Sequence, residues 1–275
     1  MDRRLKTATP IRAGFLLTFL EWLGARVTGA VASVLIGLGE TAALFFKVIW
    51  NLPLVLKNPG LLMQQMVRMG VSSLPLVMVV SVFIGAVTAI QAHYQFRGLV
   101  PDTYLGTAVG KFVIIESGPV LTALVLAGRI GSAIAAEVGS MNEKEELDAM
   151  KVLDLDPLRY LALPRVLAGI LVFPLLVVLA DFLALIGGWA VARWNLDITT
   201  VTYIHGLRFL FDPYDVWVGF IKAFSFGVVV SFTGYYQGLH AGAGAKGVGH
   251  ATMRSVVTSC VLILVLDFFI VYLVY

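Results

Sequence analysis

The chain has 275 residues, of which 59% are hydrophobic and only 13% charged, and its mean hydropathy is +0.90. Soluble domains carry roughly 25% charged residues, so this composition excludes an ordinary water-soluble domain and predicts an all-α polytopic membrane protein. The net charge of +3 comes from scattered loop residues and gives no nucleic-acid-binding face, and the single Cys260 excludes a disulfide within the chain.

Residues 1–12 form a polar, basic tail. No small-residue cleavage site follows it cleanly, so no removable signal peptide is expected. The apolar stretch 27–46 approaches the ~20 residues needed to span a bilayer, but Glu40 lies inside it and Arg26 and Lys47 flank it. It reads as a helix lying in the interface, with a sixth span as the alternative. Residues 51–64 contain Pro53 and Pro59 and read as an elbow. The expected division is a tail and interfacial helix over 1–50, followed by a five-span domain over 51–275.

The predicted spans are Met66–Gln91, Phe112–Ala136, Val166–Ala192, Val216–Tyr236 and Val256–Tyr275. The connections between them are 92–111, 137–165, 193–215 and 237–255. One side of this topology carries Arg3, Arg4, Lys6, Arg12, Lys144, Lys151, Arg159, Arg165, Lys246 and Arg254. The other carries Arg97, Lys111, Arg193 and Arg208. The basic side is expected in the cytoplasm, which places the N-terminus inside and the C-terminus outside.

The strongest interruption of the apolar pattern is Glu137–Arg165. Asn142 followed by Glu145 resembles a capping box, with acidic residues crowding the first turn, where the helix dipole favours them. Leu147, Met150 and Leu153 recur at intervals of three and predict one apolar stripe, and Asp156-Pro157 ends the helix. A helix of this length is marginal alone. It needs something to pack against, either a partner protein or its own chain.

Here the residues carry a resemblance. Gly118–Met141 (GPVLTALVLAGRIGSAIAAEVGSM), then EELDAM and LDPLRYLALPR, resemble the signature of the MlaE/YrbE permeases, the membrane subunits of MCE-type ABC lipid transporters. The last loop and span, GAKGVGHATMRSVVTSCVLILVLDF, are similar to the same family. The resemblance implies an N-terminal interfacial helix before five spans, in a bacterial inner membrane. It implies a homodimer bound to two ABC ATPase subunits and to an MCE-domain substrate-binding protein, moving phospholipid or a related lipid. The chain itself is then not an enzyme and holds no cofactor, ATP and Mg being bound by the partner ATPase. The loop helix becomes the coupling helix, with Glu143, Glu145, Glu146, Leu147, Asp148, Ala149 and Met150 facing the ATPase, and Asp156, Pro157 and Arg159 fixing the return to the membrane. Closure of the ATPase pair would pull this helix and rock the two protomers.

Several intramembrane residues stand out. Glu116 is costly in a bilayer and must face a cavity, water or a partner; it is read either as lining a lipid cavity or as half of a pair with Lys111 or Arg129. Arg129, some 20 Å along the same helix, is too far to be that partner. Many members of the resembled family have an arginine before this glutamate, where this chain has Ile115. Phe83, Ile84, Val87 and Gln91 share a helix face that lines a lipid path or meets bulk lipid. Gly128, Gly131 and Ser132 are small enough for close helix packing. Asp181 and Asp267 read as interhelical hydrogen-bond partners, with no intramembrane lysine in easy sequence reach. None of His93, His205, His240 and His250 has metal-site spacing, and 242–249 lacks the Gly-Lys-Ser/Thr ending of a P-loop. The competing readings are a membrane scaffold for a periplasmic lipid-binding protein and an ion-coupled secondary transporter using Asp181 or Asp267.

Overall fold

The computed structural model describes residues 39–57, 59–96 and 98–275. The basic tail and most of the expected interfacial helix fall outside the described residues; residues 39–51 are helical. The chain divides into two compact units between Ile49 and Trp50, and the second carries the five membrane-length helices found among the described residues.

Those helices are α1 (Pro59–Phe96), α2 (Thr103–Glu143), α4 (Leu158–Trp194), α6 (Pro213–Leu239) and α7 (Gly244–Val274). Two short helices, α3 (Glu146–Val152) and α5 (Thr200–Phe209), lie in the connections. Among the described residues there is no strand, so this is an all-α membrane protein. The shortest long helix, at 27 residues, is about 40 Å long at 1.5 Å per residue, enough to cross a ~30 Å hydrocarbon core. The helices outrun the predicted spans because polar residues continue each helix beyond its apolar part. The alternation of direction creates two ends. The loop end holds α3 and the α6–α7 turn; the far end holds the α1–α2 and α4–α6 connections and Tyr275.

The bundle is held by backbone approaches that only glycine allows. α1 packs chiefly on α4. There a Cβ on Gly85 would lie 1.7 Å from the Ala184 carbonyl oxygen, and one on Gly187 would lie 2.1 Å from that of Val82. α4 in turn meets α6, where a Cβ on Gly227 would fall 2.7 Å from the Gly169 carbonyl oxygen. α7 buries Ala251, Ser255, Ser259, Ile263 and Asp267, one residue per turn, against α2 and α6. The Ser255 hydroxyl donates to the Gly131 carbonyl at 3.2 Å. Small polar stripes of this kind are how helices associate where no hydrophobic drive exists between them. α6 and α2 are the most enclosed long helices and α7 the least.

The connection 193–215 contains α5, which Thr199 caps, its Oγ1 accepting from the Thr202 N–H at 3.2 Å. Tyr203 is fully buried beneath it and donates to the Leu185 carbonyl at 3.2 Å. Gly106 and Gly206 let α5 rest directly on the α2 backbone. This small core, with Leu105, Val109, Val113 and Ile198, fixes the far end.

Regular α-helix gives way to π-helical turns at Val113–Ser117 and Ala127–Gly131 in α2, and at Leu158–Ala162 at the start of α4. Pro119 lacks the N–H that would bond to Ile115, and the wide turn before it instead pairs the Gly118 N–H with the Val113 carbonyl. π turns gather at functional positions, and the first of these carries Glu116.

Candidate functional site

Lys222 of α6 has no exposed surface. Its Nζ lies 2.6 Å from Glu116 Oε2 of α2 and 2.7 Å from Asp267 Oδ1 of α7. One cation thus bridges two carboxylates from two other helices in the membrane interior. Asp267 is nearly as enclosed, whereas the Glu116 side chain keeps 39% of its surface. The cluster is sealed on the α6–α7 side and open on the Glu116 side. Glu116 therefore has the partner that the bilayer demands, but that partner is neither Lys111 nor Arg129. Lys111 lies 3.2 Å from Asp215 Oδ2, whose Oδ1 accepts from the Tyr275 hydroxyl at 3.0 Å. Asp267 has no intramembrane lysine within easy sequence reach, as expected, but it has one in space. Lys222 lies 45 positions away in sequence but one helix away in space. A lysine inside an apolar run is itself a functional signal, and it was legible in the fourth span.

Asp181 is not the interhelical hydrogen-bond partner it was expected to be. Its Oδ1 is buried without a hydrogen bond, and it packs where a Cβ on Gly118 would stand.

α1 and α2 are consecutive but lean on different neighbours, and a cleft remains between them at each end. At the far end a groove of about 220 Å³ is lined by Thr88, Gln91, Ala92, Gln95, Phe96, Ala108 and Phe112. Glu116 follows Phe112 by one turn of α2. Of the lipid-path candidates, Gln91 lines this groove. Phe83 and Val87 are 67% and 49% exposed on the surface of α1, and Ile84 is half-buried. At the loop end a second pocket of about 240 Å³ is lined by Gln65, Arg68, Met69, Ser72, Arg129, Ile130, Ala133, Ile134 and Glu137. Gly131 belongs to the α2–α6–α7 seam. Gly128 faces open space, and the half-buried Ser132 bonds its hydroxyl back to the Gly128 carbonyl.

The loop helix differs from its sequence reading at its start. Asn142 is no N-cap: α2 continues through it to Glu143, and its Nδ2 donates to the Leu239 and Ala241 carbonyls at 3.3 and 3.5 Å. The helix ends because it has reached the end of α6, on which Val138 and Gly139 also pack. Lys144 and Glu145 then form a two-residue turn, with Glu145 left-handed at φ 59° and making no side-chain cap. α3 follows, and Asp154, at φ 58°, closes it. The expected stripe also divides: Leu147 is buried in its own protein, Met150 is half-buried and Leu153 is 70% exposed. Glu143, Glu145, Glu146, Asp148 and Ala149 are all exposed, and Val152, at 87%, joins Leu153 at the tip. At the return, Asp156 Oδ1 accepts from the Leu158 N–H at 3.0 Å, and Arg159 is half-buried. Replacing Asn142 by Ala is expected to cost about 1 kcal/mol, read as a small fall in the Tm of the detergent-purified protein.

Beneath the loop, Glu137 Oε1 receives both Arg68 at 2.8 Å and the buried Arg165 at 2.9 Å. Arg165 also donates to the Leu161 carbonyl at 2.9 Å. This ties the starts of α1 and α4 to the end of α2. Among the described residues, no three His, Cys, Asp or Glu side chains converge as they would around a metal ion.

The family model described as Permease MlaE matches residues 62–273, which include the charge cluster, both α1–α2 clefts and α3. A probable ABC transporter permease protein of Rickettsia prowazekii is 38% identical over 219 residues, 78% of this chain and 85% of that protein. A probable ABC transporter permease protein of Synechocystis is 35% identical over 213 residues, 78% and 81% of the two chains. The intermembrane phospholipid transport system permease protein MlaE of Haemophilus influenzae is 31% identical over 263 residues, 92% and 96% of the two chains. A five-helix membrane domain matched along nearly its whole length by this model and these relatives identifies the chain as a member of the MlaE permease family, a transporter membrane subunit.

Proposed function

We propose that this permease moves phospholipid, driven by ATP hydrolysis in separate ATPase subunits, and exchanges it with an MCE-domain protein. The observation that carries the lipid reading is the far-end groove between α1 and α2. It joins the amides of Gln91 and Gln95 to the rings of Phe96 and Phe112, and so offers hydrogen bonds to a headgroup and an apolar surface to its chains. Its Phe112 lies one turn of α2 before Glu116, the most exposed member of the Glu116–Lys222–Asp267 cluster, whose charges can respond to what enters. The name of the Haemophilus relative supports phospholipid as the substrate.

The loop end lies in the cytoplasm in this reading, and the far end in the periplasm. Lys144, Lys151, Lys246 and Arg254 at the loop end support that orientation. α3 is the coupling helix, with an acidic collar and the exposed Val152–Leu153 tip entering the ATPase. Force on α3 passes through a turn of only two residues into α2, and along α2 to Glu116. Two copies pair through α7, the helix least enclosed by its own chain, whose Val257, Val261, Leu264 and Phe268 are exposed.

The test uses exposed residues, because Leu147→Asp would disturb the fold. Val152→Asp combined with Leu153→Asp is expected to leave Tm unchanged while abolishing copurification of the ATPase and ATP-dependent lipid transfer. Normal ATPase association and transfer by this variant would remove α3 as the coupling element. Transfer that needs an ion gradient and no ATP would overturn the reading as a whole.

A further inference from the structure

We infer that the loop-end pocket between α1 and α2 is a second lipid site, which holds the phosphodiester of an anionic phospholipid from the leaflet beside α3. The inference rests on the proposed lipid transport and adds to it the place where the headgroup is first held.

The argument begins with charge. Arg68 and Arg129 both line the pocket. The carboxylate that also lines it, Glu137, is shared: its Oε1 binds Arg165, which is 3% exposed, as well as Arg68. Among the described residues Arg129 has no ion-pair partner. Two guanidinium groups thus share one carboxylate while the third, Arg129, stands unpaired in the same pocket, and the excess is positive. Near the bilayer interior such an excess is expensive unless an anion meets it. Guanidinium forks bind phosphate oxygens in pairs, and Gln65 adds an amide donor.

The walls fit the rest of a lipid. Met69, Ile130, Ala133 and Ile134 form an apolar surface beside the two arginines. At about 240 Å³ the space is smaller than the ~300–1,000 Å³ pockets that enclose drug-sized ligands. It has room for a headgroup, with the acyl chains lying outside along α1 and α2. A neighbouring trough of about 520 Å³ shares Arg68, Ala133 and Glu137 and extends to Lys144 and Glu146. A headgroup held here therefore lies within reach of the turn that carries α3.

Native mass spectrometry of the delipidated full-length protein, titrated with phosphatidylglycerol or with diacylglycerol of the same chains, tests the site without requiring transport. The wild type is expected to retain phosphatidylglycerol about tenfold more tightly than diacylglycerol, a difference worth about 1.4 kcal/mol. Arg129→Gln is expected to abolish that preference. Arg254→Gln, which removes another exposed cation, on α7 and outside the pocket, is expected to keep it. Equal phosphatidylglycerol retention by wild type and Arg129→Gln overturns the site, as does an equal loss in Arg254→Gln, which would mark a general charge effect. Displacement of the lipid by submillimolar inorganic phosphate would assign the pocket to free phosphate and overturn the lipid assignment; lack of displacement supports it. Loss of transfer with headgroup binding intact would count against the transport reading alone.

Discussion

Lys222→Met is expected to destabilise the purified protein by about 3 kcal/mol and to abolish lipid transfer. The magnitude is the lower end of the ~3–5 kcal/mol seen when one member of a buried ion pair is removed, chosen because the Glu116 side chain is 39% exposed. The physical reason is what remains. With the ammonium gone, Glu116 and Asp267 face the same space with no counter-charge, and Asp267 has no route to water except through its neighbours. A second variant separates folding from function. Combining Lys222→Met with Glu116→Gln and Asp267→Asn removes every charge while preserving shape, and it is expected to recover most of the lost Tm. Transfer is expected to stay absent, because the open Glu116 side can no longer respond to a headgroup. Normal Tm and transfer in Lys222→Met alone would show that the three charges act independently.

Gly85→Val and Gly187→Val form the second large prediction. Each is expected to cost more than about 3 kcal/mol, at or beyond the upper range for overpacking, and to remove monodisperse protein from size-exclusion chromatography. The atoms that a new side chain would strike are backbone carbonyls of Ala184 and Val82, which cannot rotate aside as a side chain would. Gly60→Ala provides the contrast. It lies in the first turn of α1 with nothing within 4 Å of its missing Cβ, and it is expected to be neutral or stabilising by about 0.5–1 kcal/mol. If Gly187→Val yields as well as Gly60→Ala, the α1–α4 crossing is looser than the described backbone contact.

The five spans were legible in the sequence because lipid imposes length and apolarity on any helix that crosses it. Their partners were not. Lys222 was visible inside an apolar run, but its role depends on α2, α6 and α7 meeting at one depth, which no local pattern encodes. Asn142 shows the opposite error: a good local capping pattern gave way to a continuing helix, in which the side-chain amide N–H instead reaches the Leu239 and Ala241 carbonyls. Leu147 was rightly read as part of an apolar stripe on α3. That stripe serves two surfaces, however, with Leu147 packed inward and Leu153 left outside. The acidic collar was easier to read, since charges beside a membrane point to water or to a partner. The pairing of Arg68 with Glu137 went unread because each looks like an ordinary boundary charge until α1 and α2 are placed side by side.

The two π turns of α2 have a mechanical consequence. Each holds one residue more than a regular helix of the same length. If a pull on α3 draws one of them into ordinary α-helix, α2 lengthens by about 1.5 Å and everything beyond that point rotates by about 100°. An α-helix under tension otherwise behaves as a stiff rod and can only translate. On the proposed coupling through α3, α2 would instead work as a screw, turning a small axial stroke at the loop into a change of facing. Glu116, in one of these turns, is placed to swing toward or away from Lys222 with little movement of the surrounding bundle.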